Sequence, residues 1–393
     1  MLCGKSFCPR VETAKQYMKT VKVSEQMQAP SPSVFVGRVG YPSIYAGPML
    51  TDYDQPELLG QPEKWYGTPL DSLVNMRYQL VRSKDGMNVF SARNPNRHLI
   101  DVQDIAMSKK SVLTEAFFKK KPSFNRRSFN EITAPYGPSG TITKIDLGEN
   151  PKVPGKVDRI VSDELKAVQG VGKLYEKKIP VSKISNIFSV GLLGETKAKR
   201  MVPTRWSITA TDDTVGKKLI SEVKDFDEVN DYELYSSTYL GNHFEVLLVP
   251  GKWSFEQIEV YVPGSIWVDQ DQPLRFMKDW EPYSGRTKYA YEVAGGYYAG
   301  RLGVLEQLSK RKRQATAIIV REITPEYWCP VGVWEVRENV RAAMKNEVMK
   351  FDSLEKALDE IAERCTIKKA WQKESKLLSR IRSREILKSY MLN

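Results

Sequence analysis

The runs Phe244-Glu-Val-Leu-Leu-Val249 and Gln257-Ile-Glu-Val-Tyr-Val262, with Pro250-Gly251 between them, decide the fold class. Both are short and crowded with β-branched, aliphatic and aromatic residues, so they read as two strands, and Pro-Gly supplies the turn between them. Outward from this pair, Ala315 to Arg321, Val34-Phe-Val36 and Trp206-Ser-Ile-Thr-Ala-Thr211 read as further strands. Apolar spacing predicts helices over 69–82, near 162–178, over 287–309, from Val333 onward and over 353–365. Asp352 and Glu355 offer a capping box for the last of these. Residues 181–200 read as helix and turn, broken at Gly191 and Gly194, and the Gly-, Pro- and Tyr-rich stretch up to Gly67 reads as loop. Strands and helices are interspersed, which makes the chain α+β, or mixed α/β.

The 393 residues suffice for two or three domains with real cores. A Pro/Ser-rich linker closes an N-terminal segment, 1–32, and composition shifts again at Asp269-Gln-Asp-Gln-Pro273. The expected organisation is therefore 1–32, a mixed α/β domain over 33–270, a second α/β domain over 271–366, and a basic helical tail over 367–393. No apolar run approaches the roughly 20 residues that span a bilayer. The first residues lack a secretory h-region, so a cytoplasmic protein without a membrane partner is expected. Cys329 and Cys365 lie in apolar or helical contexts and read as buried thiols. Two histidines, His98 and His243, leave little room for a His-rich metal site.

The net charge of +12 favours an anionic partner without identifying one; a charged surface that serves only solubility is the alternative. Three basic clusters interleave with aromatic or apolar residues. The first holds Lys119, Lys120, Lys121, Arg126 and Arg127, the second Lys310, Arg311, Lys312 and Arg313, and the third is the tail. Arg205, beside Trp206, adds another cation. Lysine and arginine neutralise phosphates and aromatic rings stack on bases, so the clusters together point to nucleic acid. In Leu165–Ile179 the Gly170-Val171-Gly172 turn resembles half of a helix-hairpin-helix, which aims backbone amides at a phosphate.

Asp212 and Asp213 after the expected 206–211 strand, and Glu245, Glu256 and Glu259 on or beside two others, are candidates for a nuclease using Mg²⁺ or Mn²⁺; Asp212, Asp213 and Glu245 are the catalytic candidates. Alternating glutamates on a strand also describe a plain solvent face. Cys3 and Cys8 form a C-x4-C pair that supplies two of the four ligands of a structural zinc. In the tail, Leu387, Tyr390 and Met391 fall on one side of a helical turn. With Arg384 they resemble the sliding-clamp-interacting peptide, in which Gln stands at the position of Arg384 and an aromatic at that of Met391.

Five stretches resemble the archaeal Nre DNA-repair proteins. They are Met1-Leu-Cys-Gly-Lys-Ser-Phe-Cys-Pro9, Val34-Phe-Val-Gly-Arg-Val-Gly-Tyr-Pro42, Val202-Pro-Thr-Arg-Trp-Ser-Ile-Thr-Ala210, Ala294-Gly-Gly-Tyr-Tyr-Ala-Gly-Arg-Leu302 and Pro330-Val-Gly-Val-Trp-Glu-Val-Arg-Glu338. The resemblance implies a two-part chain, a role in DNA-damage repair, and binding of the DNA polymerase sliding clamp (PCNA) through Leu387, Tyr390 and Met391. Some members carry a four-cysteine zinc finger at the N-terminus, of which only the second pair, Cys3 and Cys8, stands here. A zinc ion is therefore expected only with a further cysteine pair upstream.

Overall fold

The computed structural model describes Gln16, residues 20–124 and residues 136–391, with side chains as far as Ser383. Cys3, Cys8, Arg126 and Arg127 lie outside the described residues, as do the side chains of Arg384, Leu387, Tyr390 and Met391. The chain forms two compact units, Met1–Val215 with Cys329–Gly332, and Gly216–Trp328 with Val333–Asn393. That division falls earlier than the composition shift at 269–273. Each unit is built on a six-stranded mixed sheet, and helices alternate with strands along the chain, the mixed α+β architecture expected.

In the first unit the strands are β1 (Gln26–Ser31), β2 (Ser33–Val36), β3 (Ser43–Leu50), β4 (Val81–Asn88), β5 (Val112–Phe118) and β6 (Ser139–Leu147), in the order β1-β5-β6-β4-β3-β2. Strand β5 shows the alternation of a half-covered sheet, with Val112, Thr114, Ala116 and Phe118 inward. Strand β3 lies where the sequence reads as loop. Its Gly47-Pro48 pair looks like a turn, yet both residues fall at a gap in the ladder to β4, where proline has no amide hydrogen to give. Gly47 sits so close to β4 that a Cβ there would lie 2.0 Å from the Ser83 carbonyl oxygen.

The helices of this unit are α1 (Pro56–Leu59), α2 (Leu70–Tyr78), α3 (Arg97–Met107), α4 (Gly155–Ser162), α5 (Ala167–Glu176), α6 (Val181–Ser189) and the start of α7 (Thr204–Val223). Two corrections follow. Gly170-Val171-Gly172 is not a hairpin turn but the buried interior of α5, where a Cβ on Gly170 would lie 3.1 Å from Leu193. Trp206–Thr211 is not a strand but the opening of α7. Ser207, Thr211, Val215, Leu219 and Val223 are all buried, one every fourth residue, which is helical spacing. The β-branched residues cost a helix well under 1 kcal/mol each, and burial of one continuous face outweighs that.

The second unit holds β7 (Tyr232–Tyr239), β8 (Asn242–Val249), β9 (Ser254–Tyr261), β10 (Arg275–Glu281), β11 (Thr316–Ile323) and β12 (Met349–Phe351), in the order β10-β9-β11-β8-β7-β12. The strands expected at 244–249 and 257–262 are present, but they do not pair as a hairpin. Strand β11 inserts between them, parallel to β9 and antiparallel to β8. Both strands are buried on nearly every residue, as central strands must be. The crossover into β11 is α8 (Gly295–Arg311), which starts later than expected because Asp279 accepts hydrogen bonds from the Glu292 and Val293 amides and holds them in a non-helical bend. Next come α9 (Trp334–Ala343), α10 (Leu354–Arg364) and α11 (Lys376–Met391). The cap of α10 is Ser353, whose hydroxyl accepts from the Lys356 amide, one residue later than the Asp352–Glu355 box.

Residue parity separates the two faces of this sheet. Leu247, Ile258, Ile318 and Val320 pack against Leu358, Ile361, Trp371 and Leu378 of the C-terminal segment. Helices α8 and α9 pack together, and Gly300 brings α8 so near β9 that a Cβ there would lie 2.2 Å from Gln257 Oε1.

Candidate nucleic-acid interface

The strand carboxylates do not form a solvent face. Glu245 and Glu256 are fully buried and Glu259 nearly so. Glu245 accepts from Ser236 Oγ, lies 2.7 Å from His243 Nε2, and takes Arg364 Nε at 2.8 Å. Glu256 accepts the Lys376 and Leu377 amides at 2.8 and 3.0 Å together with the Ser375 hydroxyl, so it caps α11 from the sheet. Glu259 accepts from Arg321 at 2.7 Å, Tyr261 at 2.7 Å and Gln257 at 3.2 Å. The same guanidinium reaches Glu335 at 2.9 Å and Asn242 at 2.7 Å, which closes a buried charged network.

Among the described residues, one group of three or more donors lies close enough to share an ion: His243, Glu245 and Cys365, within 4.8 Å of one another. Their chemistry fits a cation poorly. The Arg364 guanidinium already lies on Glu245, and burial, followed by the charges of Glu245 and Glu322, pushes the Cys365 thiol upward and keeps it protonated. A cavity of about 320 Å³ opens beside this group, lined by Ser236, Asn346, Glu347, Val348, Met349 and Arg364. Asp212 is buried and Asp213 half-buried in the body of α7, not at a strand end. Cys329 and Cys365 are buried thiols without a disulfide, as expected.

The basic clusters divide by what holds them. Lys119, Lys120 and Lys121 follow the end of β5 and are exposed. Lys310 and Lys312 are exposed at the end of α8. Arg311 in contrast grips Glu233 through two nitrogens at 2.6 and 2.7 Å and meets the Tyr235 hydroxyl at 2.6 Å, and these bonds raise its pKa. Arg313 lies 3.8 Å from Asp227. Of that cluster, Arg311 is thus bound into the fold, whereas the Arg313 pair lies at the surface.

Arg205 is exposed on the first turn of α7, where the first unit gathers aromatic side chains that sequence reasoning did not single out. The β2–β3 loop presents Arg38, Val39 and Tyr41, and is closed by Gly37 N–H donating to the Tyr45 carbonyl at 2.7 Å. The Val36 amide donates to Thr204 Oγ1 at 2.8 Å, which fixes the end of β2 to the start of α7. Trp206 then lies beside Tyr41, ring centroids 5.4 Å apart and planes tilted by 57°. The Val89 amide donates to the Pro42 carbonyl at 2.9 Å, and the Met201 amide to the Val89 carbonyl at 2.8 Å. Phe90, exposed on the residue after Val89, carries the Arg93 guanidinium 4.5 Å from its ring centre. Hydrogen bonds thus fasten three segments together, 36–45, 89–93 and 201–206. The signal available in the sequence was Val39 and Tyr41 in a Gly-rich loop, where apolar residues have no core to join.

No helix among the described residues is long and apolar enough to cross a membrane. The family described as archaeal Nre, N-terminal, matches residues 2–268, and that described as archaeal Nre, C-terminal, matches residues 281–390. The chain is 35% identical over 373 residues to DNA repair protein NreA of Archaeoglobus fulgidus, covering 95% of this chain and 93% of that protein. It is 37% identical over 357 residues to DNA repair protein NreA of Haloferax volcanii, covering 88% and 85%. With DNA repair protein NreB of Archaeoglobus fulgidus it shares 32% identity over 389 residues, covering 98% and 97%. No solved structure matches the chain.

Proposed function

The chain belongs to the archaeal Nre family, and from that premise we propose that it acts in DNA repair, holding DNA on exposed basic groups and docking on the DNA polymerase sliding clamp through its C-terminal helix. The observation that carries the repair role is the similarity, over nearly the whole chain, to proteins named for DNA repair. Support for DNA contact comes from the exposed Lys119–Lys121 run, Lys310 and Lys312, and Arg205, together with the net charge of +12. Support for docking comes from α11, whose backbone stays helical to Met391, the conformation in which positions 387, 390 and 391 are helical neighbours. An apolar plug of this kind on a basic helix suits a hydrophobic pocket on a partner.

Two titrations test the proposal. The full chain is expected to bind the clamp, and Tyr390→Ala to lose most of that affinity; no binding by the wild type, or full binding by the variant, removes the docking role. DNA affinity is expected to fall steeply with added salt, as counterion release demands. A chain that binds no DNA even at low salt leaves its charge serving solubility alone.

A further inference from the structure

We infer that the surface formed by Tyr41, Trp206 and Phe90 is a base-stacking platform for single-stranded DNA. The inference rests on the DNA-binding reading above and specifies its substrate. Tyr41, Trp206 and Phe90 are 42%, 45% and 42% exposed, and Val39 beside them is 84% exposed. Rings of this size bury readily in a core. Here the segments that carry them are held together by main-chain bonds of Val89 to Pro42 and Met201, and by the Val36 amide donating to the Thr204 hydroxyl at the start of α7.

Charge separates nucleic acid from an apolar protein partner. The segments 37–45, 89–93 and 196–206 together carry Arg38, Arg93, Lys197, Lys199, Arg200 and Arg205, and no aspartate or glutamate. Asp85, on the neighbouring strand β4, lies 3.0 Å from His98 Nδ1. Exposed rings amid positive charge, without acidic residues on the same segments, match a polyanion whose rings are themselves available for stacking. Duplex DNA hides its base faces, whereas a single strand offers one with each nucleotide. The tilted Tyr41–Trp206 pair presents ring surface to a base, Arg38 on the same loop as Tyr41 supplies a cation for a flanking phosphate, and Arg93 over Phe90 adds a cation–π partner.

The test compares a labelled oligothymidylate with a duplex of equal length, using the full chain at low salt. Wild type is expected to bind the single strand more tightly, with quenching of tryptophan fluorescence. Trp206→Ala is expected to weaken single-strand binding by about tenfold, with duplex binding nearly unchanged and Trp206→Phe retaining most of the affinity. Photocrosslinking of a bromodeoxyuridine oligonucleotide to wild type provides a measurement independent of any variant, and the label is expected on peptides containing Tyr41 or Trp206. Duplex binding with no single-strand preference and no label on those peptides overturns the platform while leaving the DNA-binding reading intact. Absence of binding to either form overturns both. Tighter binding to oligouridylate than to oligothymidylate overturns the assignment to DNA.

Discussion

Single buried charges set the most direct tests. Lys183, on α6, points its ammonium at the Ile105 carbonyl, 3.5 Å away, and loss of water there lowers its pKa from 10.5 to about 8. The unfolded chain keeps that proton up to the ordinary value while the folded chain releases it near 8, so between the two the unfolded state holds more protons and stability rises with pH. Lys183→Met is expected to abolish that rise in a series of urea melts. At neutral pH it should add about 1 kcal/mol, a modest figure because part of the side chain still meets water. Arg321 has the opposite role. Arg321→Met strands Glu259 and Glu335 without their cation and is expected to cost about 3–5 kcal/mol. Burial already pushes the Glu335 carboxyl upward, so the deficit should shrink as pH falls and that group takes a proton. The types of these residues were visible in the sequence, but their partners were not. Glu245, Glu256 and Glu259 read as strand-borne carboxylates for metal chemistry or solvent, and only the fold shows each one already engaged by a guanidinium, a hydroxyl or a helix terminus.

Elements were legible where one physical signal acted alone. Strands β8, β9 and β11, and helices α2, α6, α9 and α10, follow from apolar pattern and turn chemistry. Errors arose where two signals competed. The opening of α7 has strand-like β-branched residues on a helical burial period, and β3 carries a Gly-Pro pair at a gap in its ladder. The neighbour relation of β8 and β9 failed for another reason, since the insertion of β11 is decided some 60 residues downstream and no local pattern encodes it. At this scale Glu256 is the informative position. It holds the start of α11 from the sheet, so Glu256→Ala is expected to lower stability by about 2–3 kcal/mol by leaving the buried Leu377 amide and Ser375 hydroxyl, and the part-buried Lys376 amide, without their acceptor. Hydrogen exchange should then show the first turn of α11 opening ahead of β9. Equal protection in variant and wild type would refute that anchoring role.

For the whole molecule, the fold divides into two units at Val215 and Gly216, with Cys329–Gly332 returning to the first. The family matches also come as two parts, over residues 2–268 and 281–390. Partners are less legible than architecture. Net charge pointed to a polyanion, but four exposed aromatic or aliphatic side chains on one surface become a candidate site only once the chain gathers loop 37–43, Phe90 and Trp206. If clamp docking and DNA contact are separate functions, removal of residues 384–393 should abolish clamp binding and leave DNA affinity and thermal unfolding nearly unchanged, measured side by side on one preparation. Parallel loss of both affinities would show that the tail contributes to each.

The Arg321 network also sets how the second unit responds to heating. Hydration of charged groups becomes less favourable as temperature rises, so the penalty for enclosing Arg321, Glu259 and Glu335 shrinks when the chain is warm. A core joined partly by ions therefore loses less on heating than an all-aliphatic one of the same volume. The deficit of Arg321→Met, followed from cold to hot, should widen, which makes this buried cation a thermal ballast whose worth is greatest near the melting point.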